Sequence, residues 1–174
     1  MLGKNPKQNK NWVGAIIHTN ENTLILVRKQ GQDNFSIPGG KVDFVEEESN
    51  SALEIEQMYL AGLQKEIREE TNVQITRPRL FAIKDVVKEQ PGILKRGRKQ
   101  TRRYYLTVTA EGEEIKVNDH KEIADIKTFN FEHVRADSFK NVVSEQTLII
   151  CRRAIQLIED EKREREGWDK IITR

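Results

Sequence analysis

A chain of 174 residues, 36% hydrophobic and 33% charged, has room for one domain, or one domain with an appendage, built on a modest core under a heavily charged surface. Its net charge of +2 excludes a global field that selects nucleic acid, so any such role must rest on local clustering. The single cysteine, Cys151, excludes an intramolecular disulfide and a multi-cysteine zinc site. The polar first eleven residues lack the apolar core of a signal peptide, and no apolar run approaches the ~20 residues of a membrane span. The expectation is a soluble protein of a reducing compartment, the cytoplasm, with no membrane partner.

In chain order, residues 1–11, rich in Lys, Asn and Gln, read as a flexible arm. Residues 13–18 are apolar and β-leaning, Asn20-Glu21-Asn22 punctuates them, and 23–27 resume with Leu, Ile and Val, the pattern of a β-hairpin. A loop at 31–34 leads to a short strand, Phe35-Ser36-Ile37, which Pro38-Gly39-Gly40 stops. Residues 46–51 form an acidic and polar approach to a helix. Ser51 with Glu54 three residues on makes a capping box, so the helix runs from Ala52 to Thr71, with Leu60, Leu63 and Ile67 as its apolar stripe. Asn72 stands at its end, where a left-handed residue is wanted and Asn is second only to Gly. Strands follow at 80–87 and 103–110, separated by a Pro91-Gly92 loop and a dense basic stretch. Residues 111–114 read as a turn, 115–117 as a short strand and 123–131 as another. From Ser144 to Glu164 the chain reads as helix, with Leu148, Cys151, Ile155 and Ile158 at helical spacing. Trp168, Ile171 and Ile172 lie beyond a charged run and dock the tail on the body. The organisation is an arm at 1–11, a domain at 12–160 and a charged helical tail at 161–174. Strands and helices mixed in this order imply an α/β fold, a mixed central sheet between helices, as an α/β/α sandwich.

The chemistry concentrates at Lys65-Glu66-Ile67-Arg68-Glu69-Glu70-Thr71-Asn72-Val73, downstream of Pro38-Gly39-Gly40-Lys41-Val42. On a helix, positions 66, 69 and 70 share one face, because helical neighbours lie three and four apart. Three carboxylates crowded there repel one another, and the cluster becomes favourable when a hard divalent cation binds it through oxygen.

These two stretches together resemble the signature of the Nudix hydrolases: Gly, five residues, Glu, seven residues, then Arg-Glu-U-x-Glu-Glu-x-Gly-U, where U is bulky and aliphatic. Gly40, followed after five residues by Glu46, matches the front half. Glu66, Ile67, Glu69, Glu70 and Val73 match the back half, with Lys65 in place of Arg and Asn72 in place of Gly. The resemblance extends over roughly residues 12–135. The interval from Glu46 to Lys65 exceeds the family's by eleven residues, close to three helical turns. Either the helix is extended at its N-terminal end, which preserves the inward face, or a loop is inserted. In the first case Gln57 rather than Glu46 takes the place of the motif's first Glu.

The resemblance implies hydrolysis of a diphosphate bond in a nucleoside diphosphate linked to another group. It implies Mg²⁺, with Mn²⁺ as substitute, held by Glu66, Glu69, Glu70 and the carbonyl of Gly40. The metal would neutralise phosphate charge and lower the pKa of a bound water. Lys65 occupies the place of an Arg that orients the first metal-binding Glu; Lys pairs with Glu66 as a point charge rather than a fork. Glu122, before the last strand, is the candidate general base or extra ligand, against the plainer reading of a solvated loop carboxylate. His120 reads as a surface histidine. Gly39 and Lys41, beside Gly40, are candidate substrate-binding residues.

Residues 94–103 carry Lys95, Arg96, Arg98, Lys99, Arg102 and Arg103. This is either a solvated loop or a phosphate-binding lip, with Arg98, Arg102 and Arg103 as candidate substrate contacts for distal phosphates or an RNA 5′ end. Tyr104 and Tyr105 face opposite ways in a strand, so at most one lines a pocket. Arg28 and Phe35 carry a substrate-facing reading beside an equally plain packing or surface one. Cys151 reads as a core residue. The leading expectation is a metal-dependent pyrophosphohydrolase of a nucleotide-type small molecule, monomeric or homodimeric. The alternatives are an RNA 5′-end pyrophosphohydrolase and a nucleotide-binding or regulatory module with little catalysis.

Overall fold

The computed structural model describes residues 11–42, 50–88, 98–109 and 114–172, with backbone alone at 86–88, 98–99 and 167–172. Six strands form one mixed sheet. They are β1 (Asn11–His18), β2 (Thr23–Lys29), β3 (Gly39–Val42), β4 (Ile75–Lys88), β5 (Arg98–Thr109) and β6 (Ile123–Asn130). The order is β4-β5-β1-β2-β6. β3 lies against the first half of β1, antiparallel, and β2 against its last residues, also antiparallel. β5 runs parallel to β1 along its other edge.

Strand β1 is buried on both sides, so its apolar residues run almost without a break. Val13, Ala15 and Ile17 face α1 (Ala52–Thr71), and Ile16 faces α3 (Glu145–Ile172). On β2, Ile25 joins the α1 side while Leu24 and Leu26 join the α3 side. Helices therefore cover both faces of a mixed sheet, as the order of elements predicted. A short helix α2 (Phe131–Arg135) and a 3₁₀ turn (Asp137–Asn141) connect β6 to α3; neither is visible as a periodicity in so few residues. Their Phe131, Val134 and Phe139 are buried in the α3-side core.

Helix α1 begins and ends where its caps place it. Ser51 accepts from the Glu54 N–H and Glu54 returns the bond to the Ser51 N–H, closing the box. Asn72 adopts the left-handed conformation at φ 57°, with its N–H on the Arg68 carbonyl. The buried stripe is Tyr59, Leu63 and Ile67, with Leu60 only partly covered. Leu63 and Ile67 each contribute about 1.5–3 kcal/mol on burial. The helix has thirteen residues ahead of Lys65, more than the seven of the family spacing, so part of the extra length is helix. Gln57 is exposed on it, and Glu46 lies outside the described residues.

Several expectations are corrected. Phe35-Ser36-Ile37 makes only isolated bridges, from Ser36 to Val27 and from Phe35 to Val143, and the strand is instead Gly39–Val42. The glycines do not stop the strand; they allow it, because a Cβ on Gly39 would lie 2.1 Å from the Val13 carbonyl oxygen. Residues 115–117 are not a strand, since Lys116 N–H and Asn118 N–H bond to the carbonyls of Thr71 and Glu70 at the end of α1. Strand β4 starts at Ile75 rather than residue 80; Pro78, which has no N–H, falls in the irregularity between Thr76 and Arg79, after which pairing resumes. α3 runs unbroken across residue 160 to Ile172, so the tail is the last part of that helix.

Candidate metal centre

The second half of α1 carries Glu66 and Glu70 toward the Gly39-Gly40 pair of β3, with Glu69 beside them on the exposed side of the helix. Val42 of β3 packs in the same core as Leu63 and Ile67, which sets the distance between strand and helix. Gly40 makes room for a carboxylate: a Cβ there would stand 1.7 Å from Glu66 Oε2. Gly39 has φ 147°, in the region open to glycine, and its N–H donates to Glu70 Oε2 at 2.7 Å. Glu70 is 2% exposed, a rare burial for a carboxylate.

Two further elements close the site. Strand alternation along β2 carries Ile25, Val27 and then Lys29 to the α1 side. Lys29 Nζ lies 2.9 Å from Glu70 Oε1 and 2.7 Å from Glu122 Oε1, and donates to the Gly39 carbonyl at 3.3 Å. Residues 114–122 cross the C-terminal end of α1. Besides its backbone bonds, Asn118 Nδ2 donates to the Arg68 carbonyl at 3.1 Å, and Asn72 Nδ2 to the Glu114 carbonyl at 3.4 Å. Gln30 ties the same segment to β2, donating through its N–H to the Glu122 carbonyl and through Nε2 to the His120 carbonyl. Glu122 is thus brought to Lys29 by backbone contacts although its own side chain is half exposed.

Burial sets the electrostatics. It pushes the Glu66 carboxyl up, and the neighbouring Glu69 and Glu122 charges push it further, against Lys29 and Lys65. It pushes Glu70 up to about 7, against the pull of Lys29 and the Gly39 N–H. Burial alone would lower Lys29, but Glu70 and Glu122 outweigh it, and the ammonium is held charged. Glu70 Oε1 is buried and receives no aligned hydrogen bond; the Lys29 ammonium faces it as a charge.

The other predicted residues are distributed unevenly. Lys65 pairs with Glu69 at 3.9 Å on the exposed side of the helix, not with Glu66, which it reaches only as a longer-range field. The Gly39 carbonyl accepts from Lys29, and Gly40 stands opposite Val13 in the β1–β3 register. Lys41 is exposed and stands opposite Trp12 in the β1–β3 register. Arg102 and Arg103 point to opposite faces of the sheet. Arg102 lies over Trp12 at 5.6 Å and donates to Gln100 Oε1. Arg103 lies over the Tyr59 ring at 4.0 Å and pairs with Glu56 at 3.1 Å. Arg103 is thus engaged by helix α1, on the face opposite Arg102. The side chains of Lys95, Arg96 and Arg98 lie outside the described residues. Tyr104 and Tyr105 are both buried, on opposite faces: Tyr104 accepts from Gln146 Nε2, and Tyr105 joins the α1 core. Arg28 pairs with Asp125 and lies over Phe35, and His120 is exposed. Lys29 is the site residue that sequence reasoning missed; the β2 alternation was the available signal.

Among the described residues no three acidic or imidazole side chains already converge as a finished metal cluster. The arrangement nonetheless fits a hard divalent cation. A buried carboxylate oxygen has only a lysine charge opposite it, a glycine cradle admits Glu66, and the donors are all oxygen. Glu66, Glu69 and Glu70, joined by Glu122 and a carbonyl of the glycine pair, are the groups that would hold it.

Comparison with known proteins agrees with this architecture. The NUDIX domain family matches residues 9–150. The chain therefore belongs to the NUDIX family, the class of pyrophosphohydrolases that the signature implied. Among solved structures it is similar to a MutT NUDIX hydrolase from Burkholderia pseudomallei, with TM-score 0.58 and 20% identity over 83% of this chain and 97% of that one. It is similar also to the NUDIX domain of Shewanella oneidensis NrtR complexed with ADP ribose (TM-score 0.59, 15% identity, 87% and 90% covered). A third is a C. elegans Ap4A hydrolase (TM-score 0.59, 14% identity, 87% and 99% covered). At these identities the likeness is one of fold. No functionally curated protein matches the sequence significantly.

Proposed function

We propose that this protein hydrolyses a diphosphate bond in a nucleotide or nucleoside-diphosphate derivative, using Mg²⁺ or Mn²⁺ held on the α1 carboxylates. The observation that carries the reading is the Glu66 carboxylate lying in the space left by the missing Cβ of Gly40, beside the buried Glu70 on the Gly39 N–H. A packing role for α1 would not require a glycine there. The bound metal would supply charge neutralisation and an activated water. The chain's own groups do the rest: Gly39 N–H and the cap of residues 114–122 hold Glu70 and the helix end in place, and Glu122 brings a half-exposed carboxylate to the rim where a proton can be taken up. Cytoplasmic working conditions suit the single buried thiol, and among the described residues no helix is long and apolar enough to cross a membrane.

The test is a hydrolysis panel with and without Mg²⁺, in which products are separated as phosphate, pyrophosphate and nucleoside monophosphate. ADP-ribose and Ap4A belong in it because similar folds are described with them, and a 5′-triphosphorylated RNA belongs in it to test that alternative directly. Metal-dependent turnover that is lost in Glu69→Gln and Glu70→Gln is expected. Undiminished turnover in both variants overturns the site assignment, and ligand binding without hydrolysis would turn the reading to a regulatory module.

A further inference from the structure

Resting on the metal-site reading above, the geometry points to Lys29 as a displaceable internal counter-ion that competes with the divalent cation for its ligands. The ammonium sits among oxygens from three separate elements: Glu70 on α1 at 2.9 Å, Glu122 on the 114–122 segment at 2.7 Å, and the Gly39 carbonyl on β3 at 3.3 Å. Two of these are carboxylates assigned to the metal or the proton, and the third belongs to the glycine pair that cradles Glu66. An ordinary structural lysine would neutralise one acid at the surface. Here one side chain bridges two acids that come from distant parts of the chain and sits against the buried, otherwise unbonded Glu70 oxygen.

The competition follows from charge and tethering. A single ammonium balances only one of the two carboxylates it touches, while the Glu66 carboxylate stands at Gly40, the other residue of the glycine pair. A divalent cation brings twice the charge and takes six or more oxygens, where an ammonium offers three donors. Exchange is therefore favourable once metal is present. Because Lys29 is fixed at the end of β2, its local concentration at the site is high, and every metal that binds must displace it. Lys29 thus holds the carboxylates together in the metal-free protein and weakens the apparent affinity for metal. In this way occupancy is set by free cation concentration rather than being permanent.

The experiment is Mn²⁺ binding to the full chain after chelator treatment, by calorimetry and by the electron paramagnetic resonance signal of free Mn²⁺, with melting in chelator alongside. Lys29→Gln should bind Mn²⁺ about tenfold tighter, the order of a common coupling between two ligands of one site. Its melting temperature in chelator should fall and its Mn²⁺-induced rise should exceed that of the wild type. Lys29→Arg keeps the charge and presents a two-pronged fork, so it should bind Mn²⁺ no tighter than the wild type. Equal or weaker binding by Lys29→Gln, or tighter binding by Lys29→Arg, overturns the inference; if the glutamine variant does not fold, the arginine arm decides. Wild type that binds no Mn²⁺ overturns the metal site and this inference together. Wild type that binds, with Lys29→Gln unchanged, overturns this inference alone.

Discussion

The two faces of the sheet are built on different principles. The α3 face is an apolar core in which Leu24, Leu26, Phe129, Phe131, Phe139, Cys151 and Ile155 are all buried, with phenylalanine rings packed edge to face. The α1 face has a comparable apolar centre in Val13, Ile25, Leu63 and Ile67, but charge penetrates it from both ends: Arg103 with Glu56 at one, Lys29 with Glu70 at the other. Burying Glu70 and an ammonium costs free energy that a leucine pair would not. Packing therefore dominates one face, and buried charge marks the face of the proposed site. One face is free to optimise packing, and the other carries a cost in stability so that carboxylates stand ready beside a glycine strand.

That division can be broken by substitutions that cross it. Gly40→Ala should have the largest effect on activity. Its Cβ would displace the Glu66 carboxylate, and a misplacement of this size lowers kcat/KM by about 10²-fold, checked by steady-state kinetics on protein with wild-type circular dichroism. Phe139→Ala, on the other face, should lower unfolding free energy by about 3–5 kcal/mol in a denaturant titration while leaving kcat/KM of the folded fraction within about twofold. If it instead lowers kcat/KM with little loss of stability, the faces are not separate in function.

Cys151 makes the apolar face sensitive to pH. Burial pushes its thiol up from 9.0 to about 12, so the folded state holds the proton more tightly than the unfolded chain. Its contribution is complete below pH 9 and falls as pH rises toward 12, because the unfolded state ionises first. The melting temperature should therefore drop less between pH 8 and 10.5 in Cys151→Ala than in the wild type, and an aromatic disulfide reagent should label the thiol only after unfolding. The smallest effect belongs to the cap of α1. Asn72→Gly at φ 57° should stabilise by a few tenths of a kcal/mol, read as a rise in melting temperature, since Gly meets no Cβ penalty there. A clear loss would show that the Asn72 bond to the Glu114 carbonyl matters more than its backbone conformation.

Much of α1 was legible in advance because its determinants are local. Ser51, Glu54 and Asn72 mark its ends within one turn, and the spacing of Glu66, Glu69 and Glu70 follows from helical periodicity alone. The hairpin of β1 and β2 was legible for the same reason. The glycine strand was not, since Gly39 and Gly40 read locally as a turn and become a strand only when β1 offers its edge. Nor were the orientations of Lys65 and Arg103 legible. The first was free to choose between two glutamates one turn apart, and the second was claimed by Glu56 and Tyr59 on another element.

By itself, then, the amino-acid sequence determined the carboxylate helix, its limits and the family signature around it, all of which depend on contacts within a few residues. Tertiary structure decided which cation-bearing group meets those carboxylates. Lys29 and Glu122 are 93 positions apart in the chain and meet Glu70 only because β2, α1 and the 114–122 segment converge at one end of the sheet. Contacts of such range depend on sheet order and on the segment that crosses the helix end, and neither leaves a periodicity that local reading can find.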